Sequence, residues 1–258
     1  MKIALCLYGQ PRFIDNPNIK LYLDSLIFDK YDVDTYCHFW YDDEITSYTG
    51  SDWHNRPSPY YKGGDFYKVE NTLDIINRVY RPKEIIFEKP KEFYETFNSH
   101  ELSILENKKR NDSGENYFSL RNVNTLLSHL YSIEKSLDLI NLNNKYNFVV
   151  LTRYDSLILN FPDLSNLEKG YIYVSNQHGM CGNIHCFTDN IFVIDTNLTL
   201  GLKCFSNIKN IINTIDMWTA ESVKKQNIIF NYNENIIKYT DLLVGTARCH
   251  TDTIGQAN

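Results

Sequence analysis

Asn147-Phe148-Val149-Val150-Leu151-Thr152, running directly into Arg153-Tyr154-Asp155, is the stretch that decides the fold. Phe148 to Leu151 are apolar without interruption, as expected of a strand buried on both faces. The segment before it carries Leu126, Leu127, Leu130, Ile133, Leu137 and Ile140 on one apolar stripe, which predicts a helix over about 119–142. A helix feeding a doubly buried strand is the unit of a mainly parallel sheet with helices on both faces.

The same alternation extends back to the N-terminus. Residues 2–8 read as a first strand that stops at the breaker cluster Gly9-Gln10-Pro11-Arg12. Residues 19–28 fit a short helix with Leu21, Leu23, Leu26 and Ile27 inward. Asp32 to Trp40 read as a second strand. Asn71 to Tyr80 fit a helix through Leu73, Ile76 and Val79, and Glu84 to Phe87 with Glu88 form a third strand after Pro82. Residues 89–115 suggest a helix followed by a turn at Lys108-Lys109-Arg110, a solvated face. Between strand two and helix 71–80 lies a long irregular segment, 41–68, rich in Tyr, Asp, Gly, Ser and Pro, as suits a lid. Beyond Asp155, Tyr171–Ser175 and Asn190–Ile194 read as strands, and 201–218 and 220–226 as helical. The tail from Thr246 is polar and weakly patterned. The fold class expected is α/β with a Rossmann-like, mainly parallel central sheet, in one domain of 258 residues. Residues 1–158 would form its nucleotide-binding half and 159–258 its acceptor half.

Bulk properties narrow the function. A net charge of −6 argues against a nucleic-acid binder that works by neutralising phosphates, though it leaves room for one local basic pocket. No run approaches the length of a membrane span. The N-terminal apolar run is too short for a signal peptide and lacks a small-residue cleavage site. The six cysteines are spread widely, so a cytoplasmic protein with reduced thiols is expected.

In a sheet of this kind, ligands bind beyond the carboxyl ends of the strands. Three loops lie there. In Gly9-Gln10-Pro11-Arg12, Gly9 lets backbone approach a ligand and Arg12 offers a fork for phosphate; a surface turn with a solvated Arg fits equally. In His38-Phe39-Trp40 the two aromatics suit core packing, and His38 suits either core or ligand. At the third, a carboxylate just past a buried strand is poorly explained by packing. Asp155 suits a hard divalent cation held together with substrate phosphates. Arg153 projects to the same side and would touch phosphate or pair with Asp155. His178, Cys181, His185 and Cys186 are zinc-ligand types at a spacing that matches no zinc pattern; Asn176 to Asn183 reads better as a Gly-rich active-site loop, and the 176–186 segment as a border of the acceptor side.

Ile3 to Arg12, the Asp34–Trp40 strand and the Arg153-Tyr154-Asp155 strand end occur in order, together with Ser128, Tyr131, Ser132 and Lys135 on the helix before that strand end. In this the chain resembles a group of bacterial and viral glycosyltransferase-like proteins of the glycosyltransferase A fold. The resemblance covers about residues 1–160, with fainter support at 189–194. It implies transfer of a sugar from a nucleoside-diphosphate sugar to a glycan or other hydroxyl acceptor, assisted by Mn2+ or Mg2+. Gly9, Gln10, Arg12, His38, Ser132 and Arg153 would then contact the donor. Asp155 would bind metal, with His250 as a second ligand; a solvated tail histidine also fits His250. Asp189 is the candidate base or sugar-ring ligand, and Glu221 its alternate; a helix cap or surface charge fits either as well, and Glu221 starts a helical stretch where carboxylates are common. Arg153 stands where the family's Asp-x-Asp metal motif has its first Asp, so a metal-independent enzyme also fits. The rival functions are a nucleotidyltransferase, which would want a longer Gly-rich basic loop after strand one, and a catalytically inactive nucleotide- or carbohydrate-binding module.

Overall fold

The computed structural model describes residues 1–45, 47–48, 66–108, 120–140, 146–176, 190–215 and 218–246. In chain order its elements are β1 (Lys2–Tyr8), α1 (Pro17–Leu23) continued by a π-helical turn (Asp24–Phe28), β2 (Asp32–Trp40), the two-residue strands β3 (Ser47–Tyr48) and β4 (Phe66–Tyr67), α2 (Thr72–Tyr80) and β5 (Pro82–Glu88). Then come α3 (Ser99–Glu106), α4 (Leu120–Asp138), β6 (Phe148–Arg153), β7 (Ser156–Asn160), β8 (Ile172–Ser175), β9 (Ile191–Asp195), α5 (Ile208–Ile211), α6 (Ala220–Asn231), β10 (Ile237–Thr240) and β11 (Leu243–Thr246).

Seven strands form one sheet in the order β10-β8-β9-β6-β1-β2-β5. β1 runs parallel to β2 and β6, β2 to β5, and β8 to β10. Of the seven, β9 alone is reversed, antiparallel to both β6 and β8. The mainly parallel α/β sheet flanked by helices is therefore present. It is continuous through the β6–β9 pair, so strands from residues 1–158 and from 159–258 share one sheet.

Side chains alternate along each strand, so each face takes every second residue. Ile3, Leu5, Leu7, Phe148 and Val150 pack on one face against Ile19, Leu23 and Ile27 of α1 and its π turn and against Ile76 and Val79 of α2. Ala4, Cys6, Val149 and Leu151 pack on the other against Ile133 and Leu137 of α4. Both faces of β1 and β6 are dry, which is why their sequences read as unbroken apolar runs. The stripe from Leu126 to Ile140 is buried throughout. Its first turns close a second compartment with Trp40, Phe93, Ile211 and Val223.

Two local expectations are corrected. Leu21 does not face inward but is 61% exposed. The buried stripe is Ile19, Leu23 and Ile27, spaced by four, and Leu21 lies off it. Residues 201–218 are not one helix. A 3-10 segment ends at Leu202 and α5 is a separate short turn. The buried Asn227 of α6 explains the break: its Nδ2 donates to Gly201 O at 2.8 Å and to Leu200 O at 3.4 Å, carbonyls that a continuous helix would use internally. β7, β10 and β11 are strands that the apolar pattern did not mark; β7 and β11 pair with each other off the main sheet. Among the described residues no helix is long and apolar enough to cross a membrane.

Candidate functional site

Because β1, β2, β5 and β6 are parallel, their carboxyl ends open on one edge. Tyr8 is level with Arg153, and Trp40 with Glu88. Trp40 N donates to Gly9 O at 3.2 Å. The segments 9–12, 38–41 and 153–155 therefore converge.

The loop after β1 is tightly constrained. Gly9 has φ of 98°, a left-handed conformation that side chains rarely adopt, and an added Cβ would meet nothing within 4 Å. Glycine is needed here for its backbone, not for space. Arg12 N donates to Gln10 O at 2.8 Å, closing a three-residue turn around Pro11, whose ring fixes φ. Phe13 follows at φ 55°, unusual for a bulky residue, with its ring buried in the main core. Asn16 N then donates to Phe13 O at 3.0 Å, and the Asn16 side chain caps α1 by accepting from Asn18 N at 3.0 Å. Anchored at both ends, the loop aims Arg12 at the end of β6.

There Asp155 accepts from two guanidiniums. Arg153 Nε donates to Oδ1 at 2.8 Å and Arg153 Nη2 to Oδ2 at 2.6 Å, a bidentate fork. Arg12 Nη2 donates to Oδ2 at 3.2 Å. The Asp155 side chain is 3% exposed, those of Arg12 and Arg153 14% and 17%. Arg153 Nη1 also donates to Asn190 Oδ1 at 3.2 Å, and Thr152 Oγ1 donates to Asn190 O at 2.9 Å, which ties the start of β9 to the end of β6.

Behind Gly9 lies a second network, buried at its centre and partly exposed at Glu88. Gly9 N donates to Ser132 Oγ at 2.7 Å, and Ser132 Oγ lies 2.7 Å from His38 Nδ1. His38 Nε2 lies 3.2 Å from Glu88 Oε1, which also accepts from Tyr131 OH at 3.0 Å. Burial dominates at His38 and pulls its pKa down to about 4, the hydrogen bond to Glu88 only partly opposing it. Burial also works against the Glu88 carboxylate, but Lys91, Tyr131 and His38 outweigh it and hold that group below the ordinary carboxylate range. An ionised Glu88 only accepts, so Nε2 carries the proton of a neutral ring, and Nδ1 accepts from the Ser132 hydroxyl. The relay Glu88–His38–Ser132–Gly9 thus satisfies each member in turn. His38 and Ser132 are both 0% exposed and support the loop from beneath. Phe39 and Trp40 pack in the core, as their composition suggested.

The fold brings together Gly9, Gln10, Arg12, His38, Ser132, Arg153 and Asp155. Glu221 stands on a separate element, in the first turn of α6, where the capping Thr219 Oγ1 accepts from Ser222 N at 3.2 Å. Asp189, His250, the His178–Cys186 cluster, residues 46 and 49–65 of the 41–68 segment and all but residue 176 of the 176–186 segment lie outside the described residues. Cys6, Cys37 and Cys204 are buried free thiols. Two site residues escaped the sequence reading. Glu88 ends an apolar strand just as Asp155 follows one, and the same rule applied to the third strand would have found it. Asn190 carries no such signal, because its partner Arg153 is on another strand.

The residues described do not fit a divalent cation at Asp155. Both of its oxygens already accept guanidinium N–H groups, and among the described residues no group of three or more His, Cys, Asp or Glu could hold a metal. A cation there would have to displace the Arg153 fork and sit beside two fixed positive charges.

No protein-family model matches the chain, and no curated protein matches it in sequence. Among solved structures it is similar to the apo-form glycosyltransferase GlyE of Streptococcus pneumoniae TIGR4, at 8% identity and a TM-score of 0.42. That match covers 93% of this chain and 45% of the other, so the chain spans less than half the length of that protein.

Proposed function

We propose that this protein transfers a sugar from a nucleoside-diphosphate sugar to a hydroxyl of a glycan or glycoconjugate. One observation carries the reading: two guanidiniums meet on one carboxylate at the carboxyl edge of four parallel strands, beside a glycine turn. That is where a mainly parallel α/β sheet receives a nucleotide, and arginine forks match phosphate oxygens. In the transfer, the bond from the anomeric carbon to the phosphate oxygen breaks, and the diphosphate leaves with the electron pair. The acceptor oxygen bonds to the anomeric carbon and gives up its proton to a base. Charge grows on the diphosphate as that bond breaks, so fixed cations placed there stabilise the transition state more than the ground state. Arg12 and Arg153 have that role in this reading. Gly9 and Gln10 shape the turn against the nucleotide, with Ser132 and His38 bracing it from behind. Asp189, next in sequence to Asn190, is the proposed base, with Glu221 as alternate.

A panel of nucleotide sugars tests the reading. Donor hydrolysis above background for at least one sugar, reduced tenfold or more in Arg153→Gln, is the expected result. Thermal stabilisation by nucleotides with no hydrolysis of any donor would make the protein a binding module. Release of pyrophosphate from a nucleoside triphosphate and a sugar phosphate would make it a nucleotidyltransferase.

A further inference from the structure

The carboxyl edge of the sheet continues into the second half of the chain. β9 is antiparallel to both β6 and β8, so β8 runs with β6, and β10 pairs with β8 in parallel. The ends of β8 and β10 therefore open on the edge where β6 delivers Arg153 and Asp155. A turn built around Asp241 lies there. Leu242 N donates to Thr240 O at 2.7 Å, closing three residues about Asp241, and Asn160 Nδ2 donates to Asp241 O. Ser175 Oγ donates to Leu242 O, and the Leu242 side chain is buried in the main core. Asn176 N donates to Thr240 O at 3.1 Å, and Asn176 Nδ2 to Asp241 Oδ1 at 2.8 Å. A buried leucine and these bonds hold an exposed aspartate and an exposed asparagine in one arrangement.

An exposed polar contact adds little to stability, whereas groups ordered in advance lower the cost of binding a ligand. Among the described residues only Asn176 donates to the Asp241 carboxylate. Its Oδ2 is left to accept from a ligand, and Asn176 keeps its carboxamide oxygen and a second N–H. Tyr239, 57% exposed, stands opposite Val174 and two residues before Asp241, about 6.6 Å along the strand. Alternation puts Tyr239 and Asp241 on one side of β10, and carries Asn176, two residues after Val174, to the same side. The bond between Asn176 and Asp241 agrees with this. Lys238, on the other side, is paired with Glu168. A carboxylate that accepts, a carboxamide that donates and accepts, and an open aromatic ring complement the hydroxyl edge and the C–H face of a sugar. The carboxylate repels an acidic sugar. From β6 to β10 is three strand spacings, about 14 Å, so a ring held here lies beside the diphosphate position rather than on it. We infer that Tyr239, Asp241 and Asn176 form a subsite for a neutral sugar ring of the acceptor. That the sugar is the acceptor rests on the sugar-transfer reading; the sugar site itself does not.

Methyl glycosides of glucose, galactose, mannose and N-acetylglucosamine, in both anomers, probe the subsite, with methyl glucuronide as the acidic comparison. Saturation-transfer NMR titrations read their affinities with no nucleotide sugar present. At least one neutral glycoside should bind saturably, and the glucuronide at least about tenfold more weakly than the best of them. Asp241→Asn removes the charge and Tyr239→Ala the ring, and each should weaken the best sugar about tenfold or more. Tyr239→Phe keeps the ring and should stay within about threefold of wild type. The altered positions are exposed, so each variant should melt within about 2 °C of wild type, which separates loss of binding from loss of fold. The wild-type protein decides the matter even if a variant fails to fold. No neutral glycoside bound, a glucuronide bound as tightly as the best neutral sugar, or affinity indifferent to both Asp241→Asn and Tyr239→Ala overturns the inference. The two readings fail separately. Sugar binding that depends on Tyr239 and Asp241, with no turnover of any nucleotide sugar, keeps the subsite and removes sugar transfer. Transfer to a sugar acceptor whose KM is unchanged in both variants does the reverse.

Discussion

Asp155→Asn keeps the shape of the side chain and removes its charge. In the wild type, Asp155 accepts from both guanidiniums and is itself only 3% exposed. Removing one member of a buried ion pair costs about 3–5 kcal/mol, because the other charge is left without compensation. Here the two arginines keep some contact with water, 14% and 17%, which lowers the expected loss to about 2–4 kcal/mol. Each kcal/mol shifts Tm by about 2–4 °C in a domain of this size, so the melting temperature should fall by roughly 4–16 °C. The fall should persist at 0.5 M salt, since an enclosed pair is poorly screened. Differential scanning calorimetry of wild type, Asp155→Asn and the exposed control Glu106→Gln, in EDTA, measures it; the control should stay within about 0.5 kcal/mol of wild type. A metal ligand behaves differently: without its cation the carboxylate contributes little, and Asn in its place is tolerated. An Asp155→Asn protein that melts within about 2 °C of wild type in EDTA, yet loses Mn2+-stimulated nucleotide binding, would refute the two-guanidinium account.

Stability should fall with acid in two steps. A neutral His38 is buried in the fold, with a pKa of about 4 against an ordinary 6.5. The unfolded chain therefore binds the extra proton first, and about 3 kcal/mol is lost as pH falls from 6.5 to 4 (about 2.5 units at about 1.36 kcal/mol each). Asp34 follows: burial raises its pKa, but Lys83, Tyr146 and Lys2 outweigh that and lower it from 3.8 to about 2. Its contribution is present above pH 4 and should vanish between about pH 4 and pH 2, on the order of 2 kcal/mol. Urea unfolding from pH 7 to pH 2.5 reads both steps; Asp34→Asn should flatten the lower one and leave the upper one. Ser132→Ala orphans the Gly9 N–H and His38 Nδ1 together, and should cost about 1–3 kcal/mol by the same assay; a neutral result would mean that the relay behind the loop is not formed. Gly9→Ala adds a methyl where there is room but forces a left-handed alanine, for a cost of about 1–2 kcal/mol. A stabilised Gly9→Ala protein would show that the positive φ is not populated.

The order of elements was legible because the signals are local. Phe148 to Leu151 are apolar on both faces of one strand, and α4 repeats its leucines at the spacing of a helical turn. Such patterns also placed Gly9, Arg12, His38 and Asp155 at strand ends, and the Arg153–Asp155 contact was within reach of reasoning because the residues are two apart. The strands β10 and β11 were not legible, being brief and mixed in polarity, and β7 pairs with the distant β11, a partnership that no local pattern carries. Nor was the break before α5, since it depends on an asparagine from α6 that takes the carbonyls of Leu200 and Gly201.

The chemistry of the site was decided by contacts that no local pattern carries. Arg12 reaches Asp155 across 143 positions, Gly9 reaches Ser132 across 123, and His38 reaches Glu88 across 50. Sequence alone determined that a carboxylate would stand at the mouth of the sheet beside one arginine, because a buried strand must deliver its next residues to the edge. Only the tertiary structure brought the second arginine to the same carboxylate, because parallel pairing of β1 with β6 puts Tyr8 level with Arg153. That second contact turns a carboxylate open to a cation into one enclosed by two.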